Sequence, residues 1–408
     1  MWIKLLHKLL KGMIRTGRLR VTYPDGRSEV YGKGLGTPVH VQLHDPSMPR
    51  RLILETEMAL GEGYSTGQIT VEDDAIYDFL CLGVQNQYAP RLPKWVKLKK
   101  GFRGALRHIS QINPAGRSKR NVAHHYDLSG QLYDLFLDTD RQYSCAYFAP
   151  GLDALEQAQA AKKAHIASKL LIEPGMRILD IGCGWGGMAI TLARDFGANV
   201  VGVTLSEEQH GYATERVEKA GLGDQVNIRL QDYRSVSGPF DRIVSVGMFE
   251  HVGLPQYRTY FNKVRDLLTP DGIALVHTIA RVSPPAATSP WIVKHIFPGG
   301  YIPSASEVLK SVERSGLWTT DMEVLRLHYA ETLRVWYDRF MEHATEAEAI
   351  YDAQFVRMWR YYLLACEAAF RHGRQGVIQI QLARDINAVP LTRDYMYPAQ
   401  RHRAMAAE

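Results

Sequence analysis

A glycine-rich turn after an apolar run carries the most specific chemical signature in the sequence. The run 177–181 (RILDI) contains Asp180 and is followed by GCGWGG at 182–187. Glycines between a strand and a helix let the backbone approach a nucleotide-like ligand closely. The spacing Asp-x-Gly-x-Gly-x-Gly is tighter than the Gly-x-Gly-x-x-Gly of dinucleotide sites. The turn predicts a site for a nucleotide-like cofactor; a tight turn without a ligand is the alternative.

This spacing resembles motif I of methyltransferases that depend on S-adenosylmethionine (SAM). In many such enzymes an acidic residue ends the second strand and binds the ribose hydroxyls. Thr204 and Leu205 stand at that position here, followed by Ser206. The cofactor site therefore departs from the general methyltransferase pattern.

Alternating strands and helices are predicted to position the turn. Apolar runs occur at 177–181, 199–205, 226–230, 241–246 and 273–279. Helical segments separate them, for example 186–196, 207–220 and 255–268, and the aromatic-rich segment 331–372 also has a helical pattern. Continuous Val, Ile and Leu runs are typical of buried parallel strands. The pattern predicts an α/β fold with a doubly wound sheet.

Length and composition define the broad class of protein. The chain has 408 residues, of which 46% are hydrophobic and 23% charged. These values indicate two or three globular domains and exclude disordered, collagen-like and disulfide-framework chains. Cys81, Cys145, Cys183 and Cys366 match no CxxC or zinc spacing. We therefore expect free thiols in a reducing compartment and no bound metal.

The first 90 residues predict a small α+β domain. Apolar residues in 1–15 recur at helical spacing, with lysines on the other side. This helix either lies on an anionic membrane or packs on its own domain. Pro24-Asp25-Gly26 lies between RLRVTY and SEVYG and predicts a hairpin, and residues 73–86 have a helical pattern.

All of the basic excess lies in residues 91–120, which contain ten Lys and Arg and no acidic residue. The chain has a net charge of +6, so the remainder carries about −4 (+6 minus +10). We interpret 91–120 as a basic linker before a catalytic domain at 121–390 and a tail at 391–408. Anionic lipid, a solvated linker and nucleic acid are the possible explanations of its charge, and lipid is favoured.

No segment has the composition of a signal peptide or a membrane span. Lys4, His7, Lys8 and Lys11 interrupt the apolar N-terminus, and no stretch approaches the roughly 20 apolar residues of a span. We expect a cytoplasmic protein, peripherally associated with the inner face of the cell membrane.

Several further motifs resemble the cyclopropane-fatty-acyl-phospholipid synthases, a family that includes the mycolic acid cyclopropane synthases. The resemblance is continuous over 118–385 and looser in the N-terminal domain. The motifs that carry it are 121–128 (NVAHHYDL), 142–148 (QYSCAYF), 179–187 (LDIGCGWGG), 203–206 (VTLS), 247–253 (GMFEHVG), 277–279 (HTI), 296–300 (IFPGG), and His328-Tyr329 with Thr332, Leu333 and Trp336.

The resemblance implies a class I SAM-dependent methyltransferase fold and a specific reaction. The methyl group of SAM is transferred to a cis double bond of an acyl chain, and the resulting carbocation loses a proton and closes a three-membered ring. The alkene is the nucleophile, so this chemistry needs a dry site, aromatic faces for the cation and a base.

The resemblance also implies that a bound bicarbonate is the base. Its ligands would be Cys145, Glu250, His277, the backbone of Ile279, and Tyr329. Because loops after different parallel strands meet at one sheet edge, these residues can converge. Cys366 matches a cysteine once considered a nucleophile in the family; we interpret it as a core residue and keep it as a minor candidate.

For SAM, the resemblance implies a set of residues around the first three strands and the fourth strand end. They are Tyr143, Ser144, Asp180, Gly182, Cys183, Gly184, Trp185, Gly186, Thr204, Leu205, Ser206, Gln209, Asp232, Tyr233 and Gly247. Aromatic residues are candidates for the acyl channel, with the core as the alternative: Tyr126, Tyr147, Phe148, Phe249, Trp336 and Tyr337.

The leading hypothesis is cyclopropanation of unsaturated phospholipids at the membrane surface by a homodimer, with no nucleic acid partner. Alternatives are a methyl-branched or methylene product, a methyltransferase for a small amine, and a non-enzymatic SAM- or lipid-binding module. The presence of Cys145, Glu250, His277 and Tyr329 argues against the last.

Overall fold

The chain forms two compact units that interleave along the sequence. The computed structural model describes residues 1–87, 111 and 130–397. Within these residues, the first unit contains 1–87, 286–298 and 330–375, and the second contains 111, 130–285, 299–329 and 376–397. The basic segment 91–120, apart from Gln111, the motif 121–128 and the tail from 398 lie outside the described residues.

The first unit begins with a small four-stranded sheet. Strand β1 pairs antiparallel with β2 and parallel with β3, and β3 pairs antiparallel with β4, giving the order β2-β1-β3-β4. The turn at Pro24-Asp25-Gly26 forms the predicted hairpin. The elements of this part are α1 (Trp2–Met13), β1 (Leu19–Thr22), β2 (Ser28–Tyr31), β3 (Val39–Leu43), α2 (Met48–Leu54), α3 (Thr56–Ser65), β4 (Ile69–Val71) and α4 (Ile76–Asn86).

Helix α1 packs on its own unit. Leu6 and Leu10 are buried in one cluster with Val21 and Val41 of the sheet. These leucines fall one turn apart and form one face, as the helical period requires. Leu5 is exposed. The second of the two alternatives for this helix therefore describes its packing.

The second unit contains a seven-stranded mixed sheet in the order β10-β11-β9-β8-β5-β6-β7. The pairs among β5 to β9 are parallel, whereas β10 and β11 pair antiparallel with each other. The strands are β5 (Arg177–Ile181), β6 (Asn199–Thr204), β7 (Val226–Leu230), β8 (Phe240–Val246), β9 (Leu268–Arg281), β10 (Trp318–Val324) and β11 (Gln375–Ala383).

Helices connect the strands and supply the remaining α structure. Those of the second unit are α5 (Gly130–Asp134), α6 (Leu155–Leu170), α7 (Gly187–Phe196), α8 (Glu207–Lys219), α9 (Tyr257–Leu267) and α11 (Ala305–Glu313). The first unit includes α10 (Pro290–His295), α13 (Ala344–Ile350) and α14 (Ala353–His372). Helix α12 (His328–Glu342) begins in the second unit and continues in the first.

The five predicted parallel strands and the helices between them are confirmed. Their apolar runs are buried on both sides of the sheet, for example Leu179 and Ile243 on one side and Ile178 and Val244 on the other. The strand order reverses at β5, between β8 and β6, and ligand sites in such sheets lie beyond the strand ends at this position. Among the described residues, no helix has the length and apolarity needed to span a bilayer.

Candidate active site

A cavity lies beyond the carboxyl ends of β5, β6, β7 and β8. Its space is about 1140 Å³, including its open mouth. Every residue predicted to bind SAM lines it except Gly186 and Ser206. The lining also includes Ile181, directly before the glycine turn, and residues for which no cofactor contact was predicted: Arg141, Gln142, Met188, Val203, Gln231, Arg234, Val246, Met248, His251 and Val252.

The glycine turn adopts backbone conformations that other residues rarely take. Gly182, Gly184 and Gly186 have φ angles of 82°, 53° and 82°. The N–H groups of Gly182 and Cys183 donate to the Val203 carbonyl at 2.9 and 3.1 Å, which fastens the turn to β6. A Cβ atom on Gly184 would meet nothing within 4 Å. Gly186 is the N-cap of α7 and therefore supports the turn from outside the cavity lining.

Asp180 presents a buried acid to this cavity. It is 2% exposed, and its Oδ2 has no hydrogen-bond partner among the described residues. Burial raises the pKa of Asp180 to about 7, and the nearby positive charge of Lys162 opposes this shift. An orphan carboxylate oxygen favours a cationic or hydrogen-donating ligand beside it.

The end of β6 is organised by three polar side chains. Thr204 Oγ1 donates to Gln209 Oε1 at 2.8 Å and accepts from the Ser206 N–H at 3.2 Å. Ser206 caps α8, because its Oγ accepts from the Gln209 N–H. Ser206 thus shapes the site without lining it, and Gln209 occupies the region where an acid was absent.

After β7, Asp232 and Tyr233 line the cavity as predicted. Both carboxylate oxygens of Asp232 accept hydrogen bonds from the Arg234 guanidinium, at 2.9 Å to Oδ1 and 2.5 Å to Oδ2. Burial would raise the pKa of Asp232, but these bonds keep it below its ordinary value. Asp232 therefore lines the cavity as an ionised carboxylate that is already paired with Arg234.

Helix α6 holds the loop that carries Tyr143 and Ser144. Lys162 is fully buried, and its Nζ donates to Gln142 Oε1 at 2.6 Å and to Ser144 Oγ at 2.8 Å. Gln159 Nε2 donates to the carbonyls of Gln142 and Ser144 at 3.2 and 3.0 Å. Burial lowers the pKa of Lys162 to about 8. One helix turn thus fixes the backbone and the side chains of this loop.

Glu250 and Ile279 meet directly. The Ile279 N–H donates to Glu250 Oε1 at 2.6 Å, while Glu250 Oε2 has no partner among the described residues. Burial raises the pKa of Glu250, and the Ile279 bond partly offsets the shift. The predicted backbone donor of Ile279 therefore engages Glu250, and the nearby Thr278 side chain also works against the rise in pKa.

His277 lies two residues before Ile279 on β9 and is 2% exposed. Its carbonyl accepts from the Gly247 N–H at 2.9 Å, which ties β9 to the cavity wall. Its Nδ1 lies 3.1 Å from Gln379 Nε2. Burial lowers the pKa of His277 well below its ordinary value, with Lys162 and Lys169 adding to the effect. The imidazole is therefore neutral at pH 7.

The loop that carries Cys145 contacts the start of α12, which carries Tyr329. The Phe148 N–H donates to His328 Nδ1 at 2.9 Å, and the rings of Tyr147 and His328 stack with centroids 4.9 Å apart. These contacts bring the loop with Cys145 against the start of α12, where Tyr329 lies. Both Cys145 and Tyr329 are buried.

Cys366 lies on α14 in the first unit. Desolvation raises the pKa of its thiol to about 12. A thiol with this pKa is protonated at pH 7, which disfavours attack by a thiolate.

Among the aromatic candidates, Phe249 packs against Tyr257, Tyr260 and Phe261 in the core of the second unit. Trp336 is fully buried. Tyr337 contacts the guanidinium of Arg334. Tyr126 lies outside the described residues.

Comparisons with known proteins agree with the fold and the cavity. The family model of mycolic acid cyclopropane synthetase matches residues 114–380, and a domain of unknown function matches 5–87. The cyclopropane-fatty-acyl-phospholipid synthase of Escherichia coli K12 is 40% identical over 86% of this chain and 89% of its own. The tuberculostearic acid methyltransferase of Mycobacterium tuberculosis is 35% identical over 90% and 88%.

A solved structure of the mycolic acid cyclopropane synthase CmaA1, complexed with SAH and CTAB, superposes with a TM-score of 0.63. It is 34% identical and covers 67% of this chain and 99% of its own. The fold and the cavity define an enzyme of the class I SAM-dependent methyltransferases. The chain belongs to the mycolic acid cyclopropane synthetase family.

The residues present fit SAM. The glycine turn leaves open space at Gly184, and Asp180 Oδ2 lacks a partner where the ammonium group of a methionine moiety would complete its hydrogen bonding. The cofactor is therefore SAM, and the assignment of individual contacts to it is part of the proposal below.

Proposed function

We propose that this enzyme adds a methylene carbon across the cis double bond of an unsaturated phospholipid acyl chain and so forms a cyclopropane ring. The observation that carries the proposal is the buried Glu250 carboxyl, which is held at one oxygen by the Ile279 N–H and has no hydrogen-bond partner at the other among the described residues. Ile279 lies two residues after the neutral His277 on β9. An alkene needs no protein nucleophile, and this arrangement can hold the bicarbonate that we propose as the proton acceptor for ring closure. The E. coli relative bears the matching name.

Bound SAM supplies an electrophilic methyl group on a sulfonium. The residues proposed to hold it are those that line the cavity, with Gly186 and Ser206 as supports. Tyr143 and Ser144 directly precede Cys145 in the sequence, and the Gly247 N–H donates to the His277 carbonyl. These three lining residues connect the cavity wall to Cys145 and His277. Glu250 is buried, which suits a reaction that must exclude water, because water would add to the carbocation.

We propose that bicarbonate binds among Cys145, Glu250, His277, Ile279 and Tyr329. Support comes from Glu250 Oε2, which is buried without a partner among the described residues and can accept the hydroxyl of such an anion. A bare carboxylate would repel the anion, and the raised pKa of Glu250 lets the pair share a proton.

The substrate, location and assembly of the enzyme are proposed from charge and resemblance. The excess of Lys and Arg in 91–120 supports docking on anionic phospholipid at the inner face of the cell membrane. The resemblance to longer bacterial synthases supports a homodimer, which sedimentation velocity of the purified protein would reveal.

A methyl-branched or methylene product is the second candidate. It is favoured by the 35% identity to a tuberculostearic acid methyltransferase over 90% of this chain. The same residues would form the same cation, and the position of the base would decide whether proton loss gives a ring or a methylene group. A saturated methyl-branched chain would also require a hydride donor, such as a reduced nicotinamide, to reduce the methylene product.

Mass spectrometry of lipid products distinguishes these outcomes. Vesicles of cis-unsaturated anionic phospholipid are incubated with the purified protein and SAM. We expect a gain of CH2 that resists hydrogenation, which indicates a ring. The same gain with uptake of hydrogen indicates a methylene product. In a parallel incubation with a reduced nicotinamide added, a gain of CH2 plus two hydrogens indicates reductive methyl branching. Unchanged lipid with intact SAM binding would refute the proposal.

A further inference from the structure

A hydrogen-bonded series of four side chains leads from the partly exposed Glu323 at the edge of the sheet to the buried His277. Glu323 on β10 pairs with Lys169 on α6, and Lys169 Nζ donates to Gln379 Oε1 at 2.7 Å. Gln379 Nε2 lies 3.1 Å from His277 Nδ1. Lys169 and Gln379 are each 1% exposed, and His277 is 2% exposed. Every member of this series belongs to the second unit.

The order of donors in this series follows from Lys169. A lysine ammonium has three donors and no acceptor, so the side-chain atom of Gln379 that faces it must be the carbonyl oxygen. The amide nitrogen of Gln379 then faces His277 and presents an N–H to Nδ1. Since Nδ1 accepts this hydrogen bond, it carries no proton, and a neutral imidazole must carry its proton on Nε2.

The charge on Lys169 is maintained by its partners. Burial lowers the pKa of Lys169, but Glu323 accepts a hydrogen bond from its ammonium. Glu323 also lies 2.7 Å from His165 Nε2, and these bonds hold the pKa of Glu323 at about 2 although burial would raise it. The carboxylate therefore remains ionised at pH 7 and keeps the lysine a donor.

We propose that Lys169 and Gln379 are positioning residues that hold His277 as the neutral tautomer with its proton on Nε2. Toward the anion proposed to bind among these residues, His277 is then a hydrogen-bond donor through Nε2, and it cannot accept the proton that leaves the substrate. Its Nδ1 is occupied by Gln379, and its Nε2 already bears a proton. The role in the reaction rests on the proposed function, whereas the tautomer does not depend on any substrate.

Gln379→Glu tests the inference because it reverses the donor and the acceptor in the hydrogen bond between residue 379 and His277. A carboxylate at this position accepts from both Lys169 and His277, so the proton of His277 moves to Nδ1. Gln381→Glu is the matched control. Gln381 lies two residues further on the same face of β11, and its Nε2 donates to the Lys169 carbonyl and to Tyr395 rather than to the imidazole.

The measurement is ¹⁵N NMR of the imidazole nitrogens in histidine-labelled protein without substrate. The His277 signals are identified by their loss in His277→Gln. We expect an Nε2–H tautomer at about pH 7.5 in the wild type and in Gln381→Glu, and an Nδ1–H tautomer in Gln379→Glu. A wild-type Nδ1–H tautomer or imidazolium would overturn the inference, and this result needs no variant to fold.

The kinetic consequence is measured with vesicles and SAM. We expect Gln379→Glu to lower kcat about 10-fold to 100-fold, the range typical of residues that orient a histidine, with the KM for SAM unchanged. Equal kcat in the wild type and in a variant with the reversed tautomer would overturn the role in the reaction. Failure of the wild type to form cyclopropane would refute the proposed function while leaving the tautomer result intact.

Discussion

Glu250 is the residue on which the proposed reaction depends most directly. Replacement by Gln keeps the size of the side chain and the hydrogen bond from Ile279 but removes the carboxyl group that either shares a proton with bound bicarbonate or takes the proton itself. We expect Glu250→Gln to lower kcat by about 100-fold or more, the usual contribution of a general base. Product formation by mass spectrometry is the measurement, with calorimetric SAM binding as a check on folding. Glu215→Gln, at an exposed carboxylate on α8, is the control. Normal turnover in Glu250→Gln would contradict both roles proposed for Glu250, as a partner of bicarbonate and as the base itself.

Asp180 predicts a pH dependence of SAM affinity. Its pKa in the folded protein is about 7, above the ordinary 3.8. Between about pH 4 and pH 7 the folded protein keeps a proton that the unfolded chain has lost, so this group makes the ligand-free protein less stable as pH rises. A cationic ligand favours the ionised carboxylate, which reverses the trend for the complex.

We therefore expect SAM affinity to rise about tenfold between about pH 5.5 and pH 7, below the titration of a free amino group near 8. Isothermal titration calorimetry across this range is the measurement. Asp180→Asn should bind more weakly and lose the dependence. His251, which also lines the cavity, is not the cause, because burial lowers its pKa to about 4. A flat profile in the wild type would contradict the assignment of Asp180 to the ammonium group.

At the scale of elements, α6 connects the loop with Gln142 and Ser144, which lines the SAM cavity, to Gln379, which contacts His277. Lys162 holds Gln142 and Ser144, and Lys169 two turns further on holds Gln379. Lys162→Met leaves two polar side chains without their donor in a buried site, which costs more than the loss of an exposed bond. We expect the Kd for SAM to rise about tenfold, corresponding to about 1.4 kcal/mol.

Calorimetry measures this change, and Ser168→Ala on the exposed side of α6 is the control. Equal SAM affinity in Lys162→Met and the wild type would show that the loop holds its conformation without α6. A lowered Tm with unchanged affinity would assign Lys162 to stability alone.

The elements differ in how far the sequence could predict them. The runs at 177–181 and 273–279 are continuous and apolar, so burial in a parallel sheet follows from composition. Strands β10 and β11 were not identified as elements, because β10 (WTTDMEV) has no such run and β11 follows a long helical segment. Gln379 and Gln381 alternate within an apolar stretch, and two buried amides on one face of a strand signal partners elsewhere.

The site residues also divide into those that the sequence could predict and those that it could not. Glu250 and His277 were predicted from motifs, but Lys162, Lys169 and Gln379 were not. Their roles depend on partners far away in the sequence, and local spacing contains no information about such pairs. The motif 121–128 and, apart from Gln111, the basic segment 91–120 lie outside the described residues, so their roles stay predictions.

At the scale of the whole molecule, charge distribution predicts how the enzyme reaches its substrate. Four closely spaced basic residues of 91–120 can be replaced together by Gln: Lys97, Lys99, Lys100 and Arg103. Each basic residue near an anionic surface contributes about 1 kcal/mol, and salt screens this attraction. We expect binding to anionic vesicles to weaken about tenfold or more in the fourfold Gln variant, and to fall steeply with salt in the wild type.

Vesicle co-sedimentation at several salt concentrations is the measurement. The control variant neutralises four exposed basic residues of the second unit: Arg194, Lys219, Arg258 and Lys310. Equal loss in both variants would indicate that net charge rather than the segment determines binding. Salt-independent binding would point to apolar insertion instead.

The position of β11 has a consequence for synthesis on the ribosome. This strand lies between β9 and β10 in the sheet, yet it is translated after both of them and after the helices over 330–375. Until Gln375–Ala383 emerges, β9 presents an unpaired edge with buried apolar residues, the kind of edge on which nascent chains associate. The amide that orients His277 arrives on the same strand. Completion of the sheet and of the site is therefore one late event, and a ribosome paused within 330–375 would hold an inactive, association-prone chain.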